Sequence, residues 1–171
     1  MRTSELKIAE PFPFYKTYID ILGDVELLDM LRRQLSNFPK FIDSIPDEKL
    51  LYSYGADKWT VAQVLVHVID SERVFQHRAL RFSRGDYTAL PGFDQDVYAE
   101  HSMADRRSKE SLMEEYKIVR KSSIALFADL DRTKLDNVGR ASDMPWSVAA
   151  LGFVICGHQK HHRNVVLERY L

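Results

Sequence analysis

A single cysteine, Cys156, stands in the 171 residues, so no disulfide can close within the chain and the fold must rest on packing. That scarcity also suits a reducing compartment, and the cytoplasm is the expected location. No apolar run approaches the ~20 residues that a membrane span requires. The opening stretch "MRTSELKIAEPFPFYKTYID" is charged and then aromatic, without the apolar centre of a secretory signal. An excess of one charge is missing too. Lys and Arg number 24 against 25 Asp and Glu, for a formal charge of -1, so nothing pulls the chain toward nucleic acid in general. No internal repeat, low-complexity tract or strand of convincing alternation is found.

What the chain has is apolar periodicity, with 45% apolar and 11% aromatic residues. In "GDVELLDMLRRQLSNFPKFIDSIP", Leu28, Leu31, Leu35, Phe38 and Ile42 recur at spacings of three and four after Asp24, a plausible N-cap. This predicts helix one, to about residue 44, with a kink at Pro39. Helix two is expected over 61–83, opened by Thr60 and Gln63 in capping-box spacing and stopped at Gly85. The turn-rich stretch "RGDYTALPGFDQDVYAEHS" reads as a long connection. Helix three follows a cap at Ser108, with Leu112, Val119, Leu126 and Leu130 facing inward. Helix four begins near Ser147 and runs almost to the end. The expectation is an all-α fold, a four-helix bundle whose long second connection permits a crossover between parallel neighbours. It forms one domain over 1–171, with residues 1–23 as an N-terminal extension packed on the bundle.

The last helix ends "GHQKHHRNVVLERYL". With about 100° of turn per residue, Leu151, Val154, Ile155, His162, Val165 and Val166 fall within roughly 80° of His158, so two histidines occupy the apolar stripe. His161 falls on the flank, and Cys156 and Leu167 on the far side. A His pair at i, i+4 can present two imidazoles to one metal ion. It can equally be two amphipathic side chains at a bundle edge. Two buried imidazoles on a stripe without a carboxylate need partners, and a metal shared with another helix would serve both. His67, among Val64, Leu65, Val66 and Val68 of helix two, is the best third ligand, reached if helices two and four run antiparallel. His77 lies too far along the helix to join as well. His101, in the long connection, ranks second. Gln63, Asp70 and Ser71 stand close enough to His67 to orient its ring, and His161 could act at the rim. Arg78 and Arg81 share the face of His67 but lie too far along it to be ligands, and are read as bundle-end charges. Asp70 or Glu72 could be a general base only on the open side of the site.

The stretch "WTVAQVLVHVIDSE" (residues 59–72), the region "RALRFSRGD" (78–86) and the terminal "GHQKHHRNVVLERYL" together resemble the DinB-like superfamily of metalloenzymes. The resemblance runs from about Asp24 to the C-terminus. It implies an up-down-down-up four-helix bundle, often dimeric, with nickel or zinc on three histidines: His67, His158 and His162 here. Related branches use low-molecular-weight thiols.

A divalent ion held by three neutral imidazoles keeps its charge and an open position, and would lower the pKa of a water or thiol there. The expected function is a metal-dependent thiol S-transferase or hydrolase acting on a small molecule, as a homodimer. The alternatives are a non-catalytic metal-binding or stress-response protein, and a plain helical bundle.

Overall fold

The computed structural model describes residues 1–8 and 14–171, so residues 9–13 of the N-terminal extension lie outside the described residues. Four long helices dominate: α2 (Leu27–Ser44), α3 (Val61–Ser83), α5 (Lys109–Ala128) and α7 (Val148–Arg169), with α1 (Lys16–Asp20), α4 (Gln95–His101) and α6 (Arg132–Leu135) between them. Three of the long helices start where a hydroxyl can take an orphan N–H. Thr60 accepts from Gln63 while the Gln63 side chain accepts from the Thr60 N–H at 2.9 Å, Ser108 accepts from Ser111, and Ser147 accepts from Ala150. The first helix starts later than expected, with Glu26 as its cap. Asp24 cannot serve because the N-terminal segment takes its carboxylate, through Arg2 Nε and Ser4 Oγ, both at 2.9 Å. The helix runs through Pro39 to Ser44. Gly85 follows α3 at φ +79°, the left-handed stop that favours glycine.

The structure adds two elements to the all-α expectation. Strands β1 (Val138–Ala141) and β2 (Met144–Ser147) pair antiparallel across a turn in which Ser142 and Asp143 both have positive φ. Gly139 lets this hairpin lie directly on α3, since a Cβ there would fall 2.2 Å from the Phe82 ring. The connection between α3 and α5 is not irregular throughout: it contains α4, which Asp94 caps by accepting from Asp96 and Val97 and which packs on α3.

Helix α7 was expected to bury one stripe. Its first half is instead buried all round, and Cys156, assigned to the far side, is 0% exposed. The reason is cover from several sides: Gln34 of α2 donates to the Cys156 carbonyl, and α1 lies along α7 so closely that a Cβ at Gly157 would sit 1.8 Å from the Tyr18 carbonyl oxygen. Helix α3 packs on α7 and α5, and α2 packs on α5 and α7.

The apolar core is in two parts. One gathers Leu27, Leu31, Phe75, Phe82, Phe127 and the first half of α7, and the other gathers Phe38, Ile42, Leu65, Leu112, Tyr116 and Val166. Along each helix a buried polar residue falls between the two: Gln34 on α2, Ser71 and Glu72 on α3, Arg120 and Ser123 on α5, His158 and Gln159 on α7. Buried polar groups must be paired. Arg120 is bound to Glu72 and Gln34, Ser123 donates to Glu72, and Gln34 donates to the Cys156 carbonyl, so one network ties all four helices. The histidines extend this polar layer.

Candidate metal centre

Helices α3 and α7 bring His67, His158 and His162 together. The His67 and His158 Nε2 atoms are 3.0 Å apart, and those of His162 and His158 3.1 Å. One ligand atom from each of the three lies within 4.8 Å of the others. On α7 the i, i+4 stacking sets the rings 4.4 Å apart, and on α3 the Ser71 Oγ lies 3.4 Å from His67 Nδ1. Tyr170, at the end of α7, donates to the Trp59 carbonyl just before α3, so the end of one helix meets the start of the other.

Hydrogen bonding alone satisfies this arrangement poorly, since one hydrogen or lone pair would have to be shared. A neutral ring nitrogen carries one hydrogen or one lone pair, and the His158 Nε2 faces two partners at bonding distance. One lone pair from each ring directed at a common cation would satisfy all three. Three imidazoles about 2.0–2.1 Å from an ion, at angles of about 90–110°, have nitrogens about 2.9–3.4 Å apart, and the His67–His158 and His162–His158 separations fall in that range. The rings are also in the right charge state. Burial, followed by the neighbouring His161, pushes His67 down to about 4. Burial, followed by His67 and His161, takes His162 to about 3, and His158 is driven well below its ordinary value. At neutral pH all three offer lone pairs.

Among the described residues, two cavities are lined by these rings. One, of about 260 Å³, is lined by His161 and His162 with Trp59, Lys58, Asp96 and Tyr170. The other, of about 170 Å³, is lined by His67 and His158 with Ser71, Phe75, Arg78 and Trp146. Gln95 lines both, so α4, the helix missed in the sequence, supplies a wall of each.

The remaining candidates divide clearly. Ser71 Oγ lies 3.4 Å from His67 Nδ1, close enough to orient the ring. Gln63 is spent on the α3 cap and on the Ala99 carbonyl. Asp70 is half-buried and faces Arg73. Glu72 is fully engaged by Arg120 and Ser123 and is no general base. His161 packs edge-on against Tyr18 and His162 at the rim, as its phase predicted. His101 is exposed beside the Val97 carbonyl, His77 is exposed, and neither lines the two cavities. Cys156 is no nucleophile, because burial pushes its thiol up to about 12. Arg81 pairs with Asp86 as a bundle-end charge should. Arg78 does not: it is buried and walls a cavity together with two of the histidines. Tyr18, Phe75 and Trp146 of that cavity carried no functional signal in the sequence.

The profile of the DinB superfamily matches residues 30–166. Among curated protein sequences nothing matches. Among solved structures, YfiT from Bacillus subtilis superimposes with a TM-score of 0.71 at 16% identity, over 96% of this chain and 91% of that one. YfiT is described as a probable metal-dependent hydrolase with an unusual four-helix bundle topology.

Proposed function

The chain belongs to the DinB superfamily, and from that premise we propose that it is a divalent-metal-dependent enzyme acting on a small molecule, with His67, His158 and His162 as the metal ligands. The observation that carries the proposal is the convergence of three neutral imidazole nitrogens beside two cavities. Zinc and nickel both suit an all-imidazole donor set and are the expected metals. When bound, such an ion supplies Lewis acidity, which makes a thiol or a water nucleophilic at neutral pH. The chain's own part is positional. Ser71 fixes the His67 ring, and the Trp59 ring, 4.8 Å from His67, screens it from water.

Both hydrolysis and thiol S-transfer fit. In transfer, a thiolate sulfur forms a bond to an electrophilic carbon as that carbon's bond to its leaving group breaks, and the leaving group departs with the electron pair. Two separate cavities at one trio favour transfer, with a low-molecular-weight thiol in one and its acceptor in the other. Cytoplasmic location and a homodimer belong to the same reading, supported by the lone buried cysteine and by the superfamily resemblance.

The reading also includes a single domain and an up-down-down-up helix order. Support for the order comes from the divided core. The part holding Leu27, Phe82, Phe127 and Leu151 takes the beginnings of α2 and α7 and the ends of α3 and α5.

The test is metal content and turnover of protein purified without a histidine tag, wild type beside His67→Ala. A panel of small thiols with electrophilic acceptors, and of activated esters and amides, should turn over only with wild type. Equal rates for the two proteins would remove the catalytic claim, and absence of stoichiometric metal would remove the ligand claim.

A further inference from the structure

We propose that the smaller cavity binds a small organic carboxylate with a flat apolar body, its anionic group docked on Arg78. The inference rests on the proposed function only for the use made of the bound molecule. Arg78 is 3% exposed, yet it lacks what other guanidinium groups of this fold have. Arg120 is paired with Glu72, Arg81 with Asp86, and Arg73 and Arg107 with Glu115. Arg78 meets only neutral groups: its Nη2 donates to the Pro91 carbonyl at 3.1 Å and to Ser142 Oγ at 2.9 Å. Among the described residues no carboxylate pairs with it. An arginine does not shed its proton in a protein, so this is a buried positive charge without a counter-charge among the described residues, an arrangement that is costly unless something supplies one. The hydrogens on Nε and Nη1 have no protein acceptor among the described residues.

The surroundings define the rest of the occupant. His67, Ser71, Phe75 and Arg78 follow one another at helical spacing on a single stripe of α3, and all four line this cavity. Arg78 stands about 16 Å of helix rise from His67, and its guanidinium meets Ser142 and the face of Trp146, which line the cavity with it. Aromatic rings bridge the interval. Phe75 lies 5.9 Å from the His158 ring and 5.8 Å from the Trp146 ring, and Arg78 Cζ lies 5.9 Å from the Trp146 ring. The volume of about 170 Å³ is below the roughly 300–1,000 Å³ of sites for drug-sized ligands, so the occupant is small. A molecule lying along these rings puts its carboxylate at one end and its reacting atoms at His67 and His158.

Calorimetric titration with benzoate, benzamide and phenyl phosphate tests this, on protein as purified and after chelation. Wild type should bind benzoate at least tenfold more tightly than benzamide in both forms. Arg78→Gln should lose the preference, and Arg78→Lys should keep part of it. Tighter binding of phenyl phosphate than of benzoate would overturn the carboxylate assignment. Should Arg78→Gln fail to fold, Phe75→Trp decides, since filling the cavity must abolish benzoate binding while Arg78 remains. Equal affinity for benzoate and benzamide would overturn the proposal, as would a preference that survives in Arg78→Gln or Phe75→Trp, or one that disappears with the metal. Metal content measured on the same samples separates these failures from failure of the metal reading.

Discussion

Arg120 grips Glu72 at two points, Nε to Oε1 at 2.8 Å and Nη2 to Oε2 at 2.9 Å, with both side chains out of solvent. Breaking such a pair from one side leaves a bare charge in the core. Arg120→Met should cost about 3–5 kcal/mol in urea unfolding. The double variant with Glu72→Leu should lose less than the two single changes added together, because it leaves no unpaired charge.

Metal binding should stabilise the folded chain by mass action. With free zinc at about a thousandfold its dissociation constant, wild type should gain about 4 kcal/mol. His158→Ala and His162→Ala should gain far less, read as the zinc-dependent rise in melting temperature.

Without metal, the histidines make stability depend on pH. His67 and His162 titrate at 6.5 when unfolded but at about 4 and about 3 in the fold. Between those values the unfolded chain holds more protons than the folded one, so stability is full above about pH 6.5 and falls as pH drops through this window. The slope from these two groups reaches at most about 2.7 kcal/mol per pH unit. Urea midpoints of chelated protein between pH 7.5 and 4.5 measure it, and the His67→Ala and His162→Ala variants should each show a shallower decline.

Gly157→Ala forces α1 off α7, since the new methyl would overlap the Tyr18 carbonyl. A loss of about 1–3 kcal/mol is expected, with faster tryptic cleavage after Lys16 as the local readout.

Much of this architecture was legible because its signals are local. A hydroxyl before an apolar run with glutamine three residues on marks a helix start whatever surrounds it, and Thr60 with Gln63 did so. The His pair was legible for the same reason, since stacking at i, i+4 needs only one helix. The hairpin was not. Its strands are four residues long and its turn uses Ser142 and Asp143 where glycine or asparagine would have announced positive φ. Arg78 was read as a bundle-end charge because no local signal announced the hairpin whose Ser142 and Trp146 bury it. Cys156 was misjudged because periodicity along α7 knows nothing of the other helices, which bring Gln34 to its carbonyl and Arg120 and Glu72 near its thiol.

The close contact between Gly157 and Tyr18 also sets an order of events. Lys160, three residues beyond Gly157, donates to the Ile21 carbonyl across 139 residues of sequence, and His67 meets His158 across 91. On the ribosome, α1 and His67 emerge long before the helix that joins them. Until α7 follows, the nascent chain has a wall without a site and one imidazole without companions. On the proposed reading, metal capture would therefore be a late event in the life of each new chain, and a stalled or shortened product that lacks α7 would expose apolar surface with two of the three proposed ligands missing.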